Sequence, residues 1–458
     1  MPEYWSSSRV DLHLDVASAG GRRAALESAL RAAIRDGRLV AGTLLPSTRG
    51  LAADLDLSRG TVTAAYDQLA EEGFLTIRPG SGTRVADLPP QTSPVSLDGG
   101  DDALILHDLR PGRPDVSAFP SRAWLAATRR VLDRNSRDVF GIGDPQGRIE
   151  LRRALAEHLG RTRGVRTSPD QIVVTSGYYQ GVGLLSQVLH SNGIKTAACE
   201  DPGHNVYRAA VERAGLRIDP LPVDAEGAQI DGLGERTGAV FLTPSHQYPT
   251  GVPLHPKRRQ AVCAWARATG GLIVEDDYDG EFRYDRLPIG ALQGIAPGHV
   301  VYGGSVSKTL TPVLRLGWLA VPPYLVAPLV AAKEEADFYT EALGQLVLAE
   351  LITSHAYDRH IRASRLRYRR RRQLLLDRLA AFPALTAHGV SAGLSMLVTG
   401  LDEEQTLRAC ARRGVALRGL TELHHEPAAS PGGLLIGFAA SSERQYPAAL
   451  NTLSDVLR

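Results

Sequence analysis

The chain has 458 residues, a formal net charge of +2 and three cysteines. That length calls for two or more domains and allows a large core, while the near-neutral balance by itself points to neither a nucleic-acid nor a membrane partner. Cys199, Cys263 and Cys410 stand far apart, without a CxxC pair or a histidine cluster. A disulfide framework or zinc site is therefore not expected, and a reducing cytoplasm is. The start, MPEYWSSSRVDLHLD, lacks the basic and apolar regions of a signal peptide. No apolar run reaches the roughly 18 residues of a membrane span.

Leu26, Leu30, Ala33 and Ile34 recur at helical spacing and predict a first helix near 22–36. Pro46–Ser47–Thr48 opens a second helix, with Ser47 or Thr48 as N-cap, running to about Leu55. After the turn at Asp56–Leu57–Ser58, a third helix runs to about Glu72. Its core stripe is Val62, Ala65, Tyr66 and Leu69, and its other face carries Ser58, Arg59, Thr61 and Thr63. Gly73 ends it; a strand from Phe74 to Ile77, a turn at Pro79–Gly80–Ser81–Gly82 and a return strand from Thr83 to Val85 follow. Three short helices and a glycine-tipped hairpin predict a winged helix-turn-helix over residues 1–85. The third helix then enters the major groove and the hairpin reaches phosphates or the minor groove. Charges here are balanced, so affinity rests on a few placed arginines and on dimeric use of two half-sites.

Residues 86–106, rich in Pro, Ser, Asp and Gly without periodicity, read as a flexible linker. From residue 107 to 458, helical patterns alternate with short β-rich runs at 172–174, 196–199, 240–242, 272–275 and 300–302. This predicts an α/β domain with a mainly parallel sheet, whose ligands sit at the carboxyl ends of the strands. The polar motifs fall at those ends. Thr175–Ser176–Gly177 precedes a helix, an arrangement that binds anions. IVEDDYDGEFRY, at 273–284, ends an apolar strand in carboxylates followed by a tyrosine. VVYGGSVSKTLTPVLRLGWL, at 300–319, holds Lys308, one of only four lysines in the chain, between Ser305, Ser307 and Arg315. A strand-end carboxylate, a tyrosine, a Schiff-base lysine and an anion cup together are what pyridoxal 5'-phosphate requires.

The stretch GRLVAGTLLPSTRGLAADLDLSRGTVTAAYDQLAEEGFLTIRPGSGTRVA resembles the GntR class of bacterial regulators. That resemblance implies contacts to double-stranded operator DNA from Arg49, Ser58, Arg59, Thr61, Arg78 and Gly80. Residues 107–458 resemble fold-type I aminotransferases, and the whole chain resembles the MocR (GabR-like) family of pyridoxal-phosphate-dependent transcription regulators. The strings that carry this are HDLRPGRPDVSAFP, GDPQGRIELRRALAEHLGRTRGV, VTSGYYQGV, EDPGH, TPSHQYPTGV, EDDYDGEFRY and SVSKTLTPVLRLGWL. The resemblance implies that Lys308 forms the Schiff base and that Tyr278 contacts the phenolate oxygen. It makes Asp276 the partner of the ring nitrogen, with Asp277 as the alternative. Gly177, Tyr178, Ser305, Ser307 and Arg315 would surround the phosphate, with His204 over the ring and Tyr248 beside it. It also implies a homodimer, arranged head to tail with domain exchange, each DNA-binding head packed against the partner's large domain.

The departures from the aminotransferase pattern carry information. Tyr248 stands where asparagine is usual before Pro–Thr–Gly, Tyr178–Tyr179 replaces a Thr/Gln pair, and Ile142 replaces a tyrosine. In the strand GGLLIGFAA no arginine stands near Leu434 or Leu435 to fork a substrate carboxylate. Arg418 is the nearest arginine before the strand, with a structural role expected. The chain is accordingly expected to be a regulator rather than an enzyme, with pyridoxal phosphate itself as effector and vitamin B6 synthesis genes as targets, the behaviour of the PdxR-type branch. One alternative is an amino acid or amine effector acting through an external aldimine; another is a pyridoxal-phosphate-dependent aminotransferase.

Overall fold

The computed structural model describes residues 21–78, 80–87, 105–135, 140–234, 236–285 and 289–458. The chain divides into two compact units, Met1–Gly100 and Asp101–Arg458. Most of the segment expected as a linker, and Pro79 of the expected turn, lie outside the described residues.

In the first unit the helices are Arg22–Arg35, Thr48–Asp54 and Arg59–Glu71, and the hairpin strands are Leu75–Arg78 and Gly82–Val85. Ser47 caps the second helix, its Oγ accepting from Gly50 N at 3.1 Å. Ser58 caps the third, accepting from Thr61 N at 3.1 Å. Val62, Ala65, Tyr66 and Leu69 are all buried, as their spacing predicts, against Leu26, Leu30 and Leu51. Tyr66 donates its hydroxyl to the Pro46 carbonyl at 3.0 Å, tying the third helix to the turn that opens the second. Leu75 and Val85 pair across the hairpin, and both are buried. Arg49, Ser58, Arg59, Arg78 and Gly80 are exposed and Thr61 is half-buried.

The second unit is built on an eight-stranded sheet among the described residues. Its order is Ile172–Thr175, Gly317–Ala320, Val300–Ser305, Leu272–Asp276, Ala239–Leu242, Thr196–Asp201, Arg217–Asp224 and Gly227–Ala228. The five strands from Val300–Ser305 to Arg217–Asp224 are parallel. Gly317–Ala320 runs antiparallel to both neighbours. The runs Ile172–Val174, Val240, Leu272–Val274 and Val300–Val301 are fully or nearly fully buried, the mark of a sheet covered on both faces. A second, antiparallel sheet orders Thr386–Ala387, Ser395–Thr399, Leu434–Gly437 and Arg418–Gly419. Tyr248, Tyr278, Leu397, Leu420, Leu423 and Leu435 form one buried cluster, which joins this sheet to the carboxyl ends of the first.

Candidate functional site

The parallel strand ends converge where the sequence motifs place them. Asp276 ends its strand, is 6 % exposed, and has neither carboxylate oxygen hydrogen-bonded among the described residues. It lines a small cavity with Tyr178, Glu200, His204, Tyr207 and Thr243. Burial, reinforced by the neighbouring Asp277, holds its carboxyl well above the usual range. Asp277 turns away into a cage. It accepts from Arg163 Nε at 2.5 Å and Nη2 at 2.8 Å, and from the Tyr302 hydroxyl at 2.6 Å. Two adjacent carboxylates thus differ completely in environment: one lacks a partner, the other is fully engaged.

Lys308 follows the Val300–Ser305 strand, and its Nζ donates to the Gly112 carbonyl at 2.6 Å. Burial lowers its pKa, which favours the free amine, the nucleophilic form. Gly112 has φ of 69°, and a Cβ there would lie 2.9 Å from Nζ, so a side chain at this position would press on the lysine. Sequence reasoning gave Gly112 no role; only its place in the string HDLRPGRPDVSAFP marked it.

The anion side is assembled across the sheet. Ser305 pairs with Gly317, and Gly317 pairs with Thr175, so the Ser305–Ser307 loop and the Ser176–Gly177 turn become neighbours. Gly317 sits so close that a Cβ would approach Tyr178 N to 2.6 Å. Gly177 precedes the helix Tyr178–Ser191 with φ of 85°, and a Cβ there would lie 2.9 Å from the Arg315 guanidinium carbon. Arg315 is exposed, takes a left-handed conformation and donates Nη2 to Ser176 O at 2.6 Å. Ser307 N donates to Ser305 Oγ at 3.4 Å.

Around these groups stand aromatic rings. His204 stacks on Tyr248 at 3.9 Å between centroids and 6° between planes. Tyr207, missed in the sequence, packs on His204 at 4.6 Å and on Tyr178 at 5.2 Å. The Tyr278 hydroxyl lies 3.0 Å from His246 Nδ1, which is also 2.8 Å from Asp279 Oδ2. Leu435 belongs to the cluster of Tyr248 and Tyr278, so an apolar side chain lies beside the site. Arg418 is opposite Leu435 in the strand register. It is hydrogen-bonded to Tyr248 and to the Glu422 carboxylate and reaches Asn205 Oδ1 at 3.2 Å. Its expected structural role is thus one of hydrogen bonding at the rim of the site.

Glu200 accepts from Thr243 N at 3.0 Å and from Gln247 Nε2 at 3.3 Å, yet burial pushes its carboxyl up to about 7. A raised folded-state pKa means that its stabilising contribution is present at low pH and fades as pH rises through about 7. Glu200→Gln has no such titration. Its stability relative to the parent should therefore increase between about pH 5 and about pH 8, measured by denaturant unfolding of the cofactor-free protein. A pH-independent difference would contradict this.

The model of the aminotransferase class I and II family matches residues 108–453, and that of the gntR family of bacterial regulatory proteins matches residues 22–85. The chain is 32 % identical over 452 residues to the probable rhizopine catabolism regulatory protein MocR of Rhizobium meliloti, covering 93 % of this chain and 91 % of that protein. It is 31 % identical over 437 residues to the HTH-type pyridoxine biosynthesis transcriptional regulator PdxR of Corynebacterium glutamicum, covering 94 % and 95 %. The chain belongs to the MocR/GabR-like family. This MocR/GabR-like chain is a transcription regulator with a DNA-binding head and an aminotransferase-like domain. Among solved structures, the fold matches kynurenine aminotransferase of Pyrococcus horikoshii with a TM-score of 0.70 and 23 % identity, covering 78 % of this chain and 91 % of that one.

The cofactor of the MocR/GabR-like aminotransferase domain is pyridoxal 5'-phosphate, and the residues present fit it. The fit rests on Asp276, a buried carboxylate with both oxygens orphaned, which is what a protonated ring nitrogen needs opposite it. Among the described residues, no group of His, Cys, Asp and Glu offers a metal site, and no helix is long and apolar enough to cross a membrane.

Proposed function

We propose that this regulator senses pyridoxal 5'-phosphate and governs vitamin B6 synthesis genes from the cytoplasm. The observation that carries the reading is the pairing of an orphaned Asp276 with a leucine at 435. The site has groups for the cofactor ring but, on the strand Leu434–Gly437, none for the carboxylate of a second molecule. In this reading Lys308 holds the aldehyde and Asp276 the ring nitrogen. Gly177, Tyr178, Ser305, Ser307 and Arg315 hold the phosphate. Tyr278 serves the ring oxygen, while His204 and Tyr248 flank the ring. When bound, the cofactor supplies an aldehyde that an amine can capture; Lys308 provides that amine from within the chain. The name of the PdxR relative supports the assignment of target genes.

Treating the full-length protein with pyridoxal phosphate and borohydride, then mapping peptides, should place a single reduced adduct on Lys308. An adduct spread over Lys195, Lys257 and Lys333 would reject the site. A second reading, an amino acid or amine effector, draws on Arg418, a guanidinium in register with Leu435. A screen of such compounds for a shift in the visible absorption of the loaded protein distinguishes the two. Sustained turnover of any of them would instead indicate an aminotransferase.

The head binds DNA through Arg49, Ser58, Arg59, Thr61, Arg78 and Gly80, Ser58 also capping the third helix. Exposed Phe140, Ile142 and Val313 suit the surface of a homodimer, in which head-to-tail exchange would place each head on the partner. Arg59→Ala should weaken operator binding by about 1–3 kcal/mol with the unfolding midpoint unchanged. Ser58→Ala should instead cost the head about 1 kcal/mol of stability. Gel-shift and thermal-melt measurements on the two variants separate these effects.

A further inference from the structure

A second cavity, of about 440 Å³, lies between the end of the helix Ile149–Arg163 and the start of the helix Ala356–Leu379. It is lined by Arg161, Arg163, Arg362, Arg365, Glu281 and Asp358, among others. Its volume is that of a small-molecule site. The charges do not cancel. Arg161 Nη2 is bound to Asp358 at 2.7 Å, and Arg163 is committed to Asp277. Arg365 donates Nε and Nη2 to the Glu281 carbonyl, at 2.9 and 2.7 Å, and makes no ion pair among the described residues. Arg362 is exposed and makes no ion pair among the described residues. It lies three residues from Arg365, so the two share a helix face. The one remaining acid is Glu281. Burial and the nearby Asp277 push its carboxyl up to about 7, so near neutrality it presents a proton as readily as a charge.

We propose that this cavity binds a small phosphate monoester, gripped by Arg362 and Arg365. Guanidinium forks match phosphate oxygens in geometry and charge. A protonated Glu281 adds a donor where a carboxylate would repel. The site is separate from the anion cup at Gly177 and Arg315 and does not depend on the cofactor reading. Through Arg163 its wall is shared with the cage of Asp277, the residue next to Asp276.

The test is calorimetric titration of glycerol phosphate and of inorganic phosphate into full-length Arg315→Gln protein, which weakens the anion cup and leaves the second cavity to be read. Saturable binding is expected, weakened at least tenfold by adding Arg362→Gln and, separately, Arg365→Gln. Because Arg362 is exposed, its replacement leaves folding intact. A preference for glycerol phosphate over inorganic phosphate points to an ester, and the reverse to free phosphate, which would overturn the ester assignment. Binding unaltered by either arginine substitution, absent at millimolar ligand, reproduced by chloride at matched ionic strength, or stronger for succinate would each overturn the proposal.

Discussion

Asp277→Ala is expected to destabilise the large unit by about 3–5 kcal/mol, because it strands a buried guanidinium. The side chains of Arg163 and Asp277 are each 2 % exposed, and the pair is closed by two short bonds. Tyr302 donates to the same carboxylate, and Ser245 Oγ lies 2.9 Å from Arg163 Nη2. With Asp277 gone, the hydrogen-bond partners left to Arg163 among the described residues are neutral, Ser245 and the Gly280 carbonyl. Asp276→Ala has the opposite character. It removes a buried carboxyl with no hydrogen-bond partner among the described residues, so the cofactor-free form should lose little stability or gain some. Denaturant unfolding of both variants without cofactor reads the contrast. Equal losses would mean that the two carboxylates do not divide their roles.

Cofactor retention should invert that order. Lys308→Ala is expected to abolish the visible absorption of the loaded protein and the borohydride-fixed label together, since no other lysine replaces its amine. Asp276→Ala should keep the label but weaken cofactor binding by about 1.5–3 kcal/mol, the range of a hydrogen bond to a charged group. Asp277→Asn, which keeps the cage filled, should bind the cofactor nearly as well as the parent. The lysine in question is held by the carbonyl of a glycine 196 positions away, with no side chain between them. Gly112→Ala should therefore resemble a mild Lys308 defect, with slower loading and an intact fold. Absorbance titration at fixed pH measures all four variants. Label on Lys308→Ala at the level of the parent would contradict the assignment.

The head was legible because its information is local. Capping serines, a stripe of Val62, Ala65, Tyr66 and Leu69, and glycines at turn positions fix helices and hairpin without distant partners. The strand ends carrying Gly177, Asp276 and Lys308 were legible for a related reason: each is a buried apolar run closed by polar residues. What escaped depends on contacts between distant segments. Gly317–Ala320 has a leucine and a tryptophan between glycine and alanine, and nothing local says that it inserts antiparallel between two other strands. Asp276 and Asp277 are indistinguishable in sequence because the groups that separate them, Arg163 and Tyr302, lie far from them along the chain. Arg418 was named from the sequence as a candidate with a structural role, but only strand register sets it opposite Leu435. Tyr207 went unnoticed because an aromatic one helical turn after His204 reads as ordinary packing.

If the cofactor is the signal, its occupancy and DNA occupancy must favour one another, or disfavour one another, by a single shared factor. The decisive measurement is the affinity of the full-length protein for the operator upstream of its own gene, with and without pyridoxal phosphate, in the parent and in Lys308→Ala. At least a fivefold change is expected in the parent, the low end of ordinary allosteric coupling, and none in the variant. Affinity indifferent to the cofactor in both proteins, or an equal change in both, would contradict it.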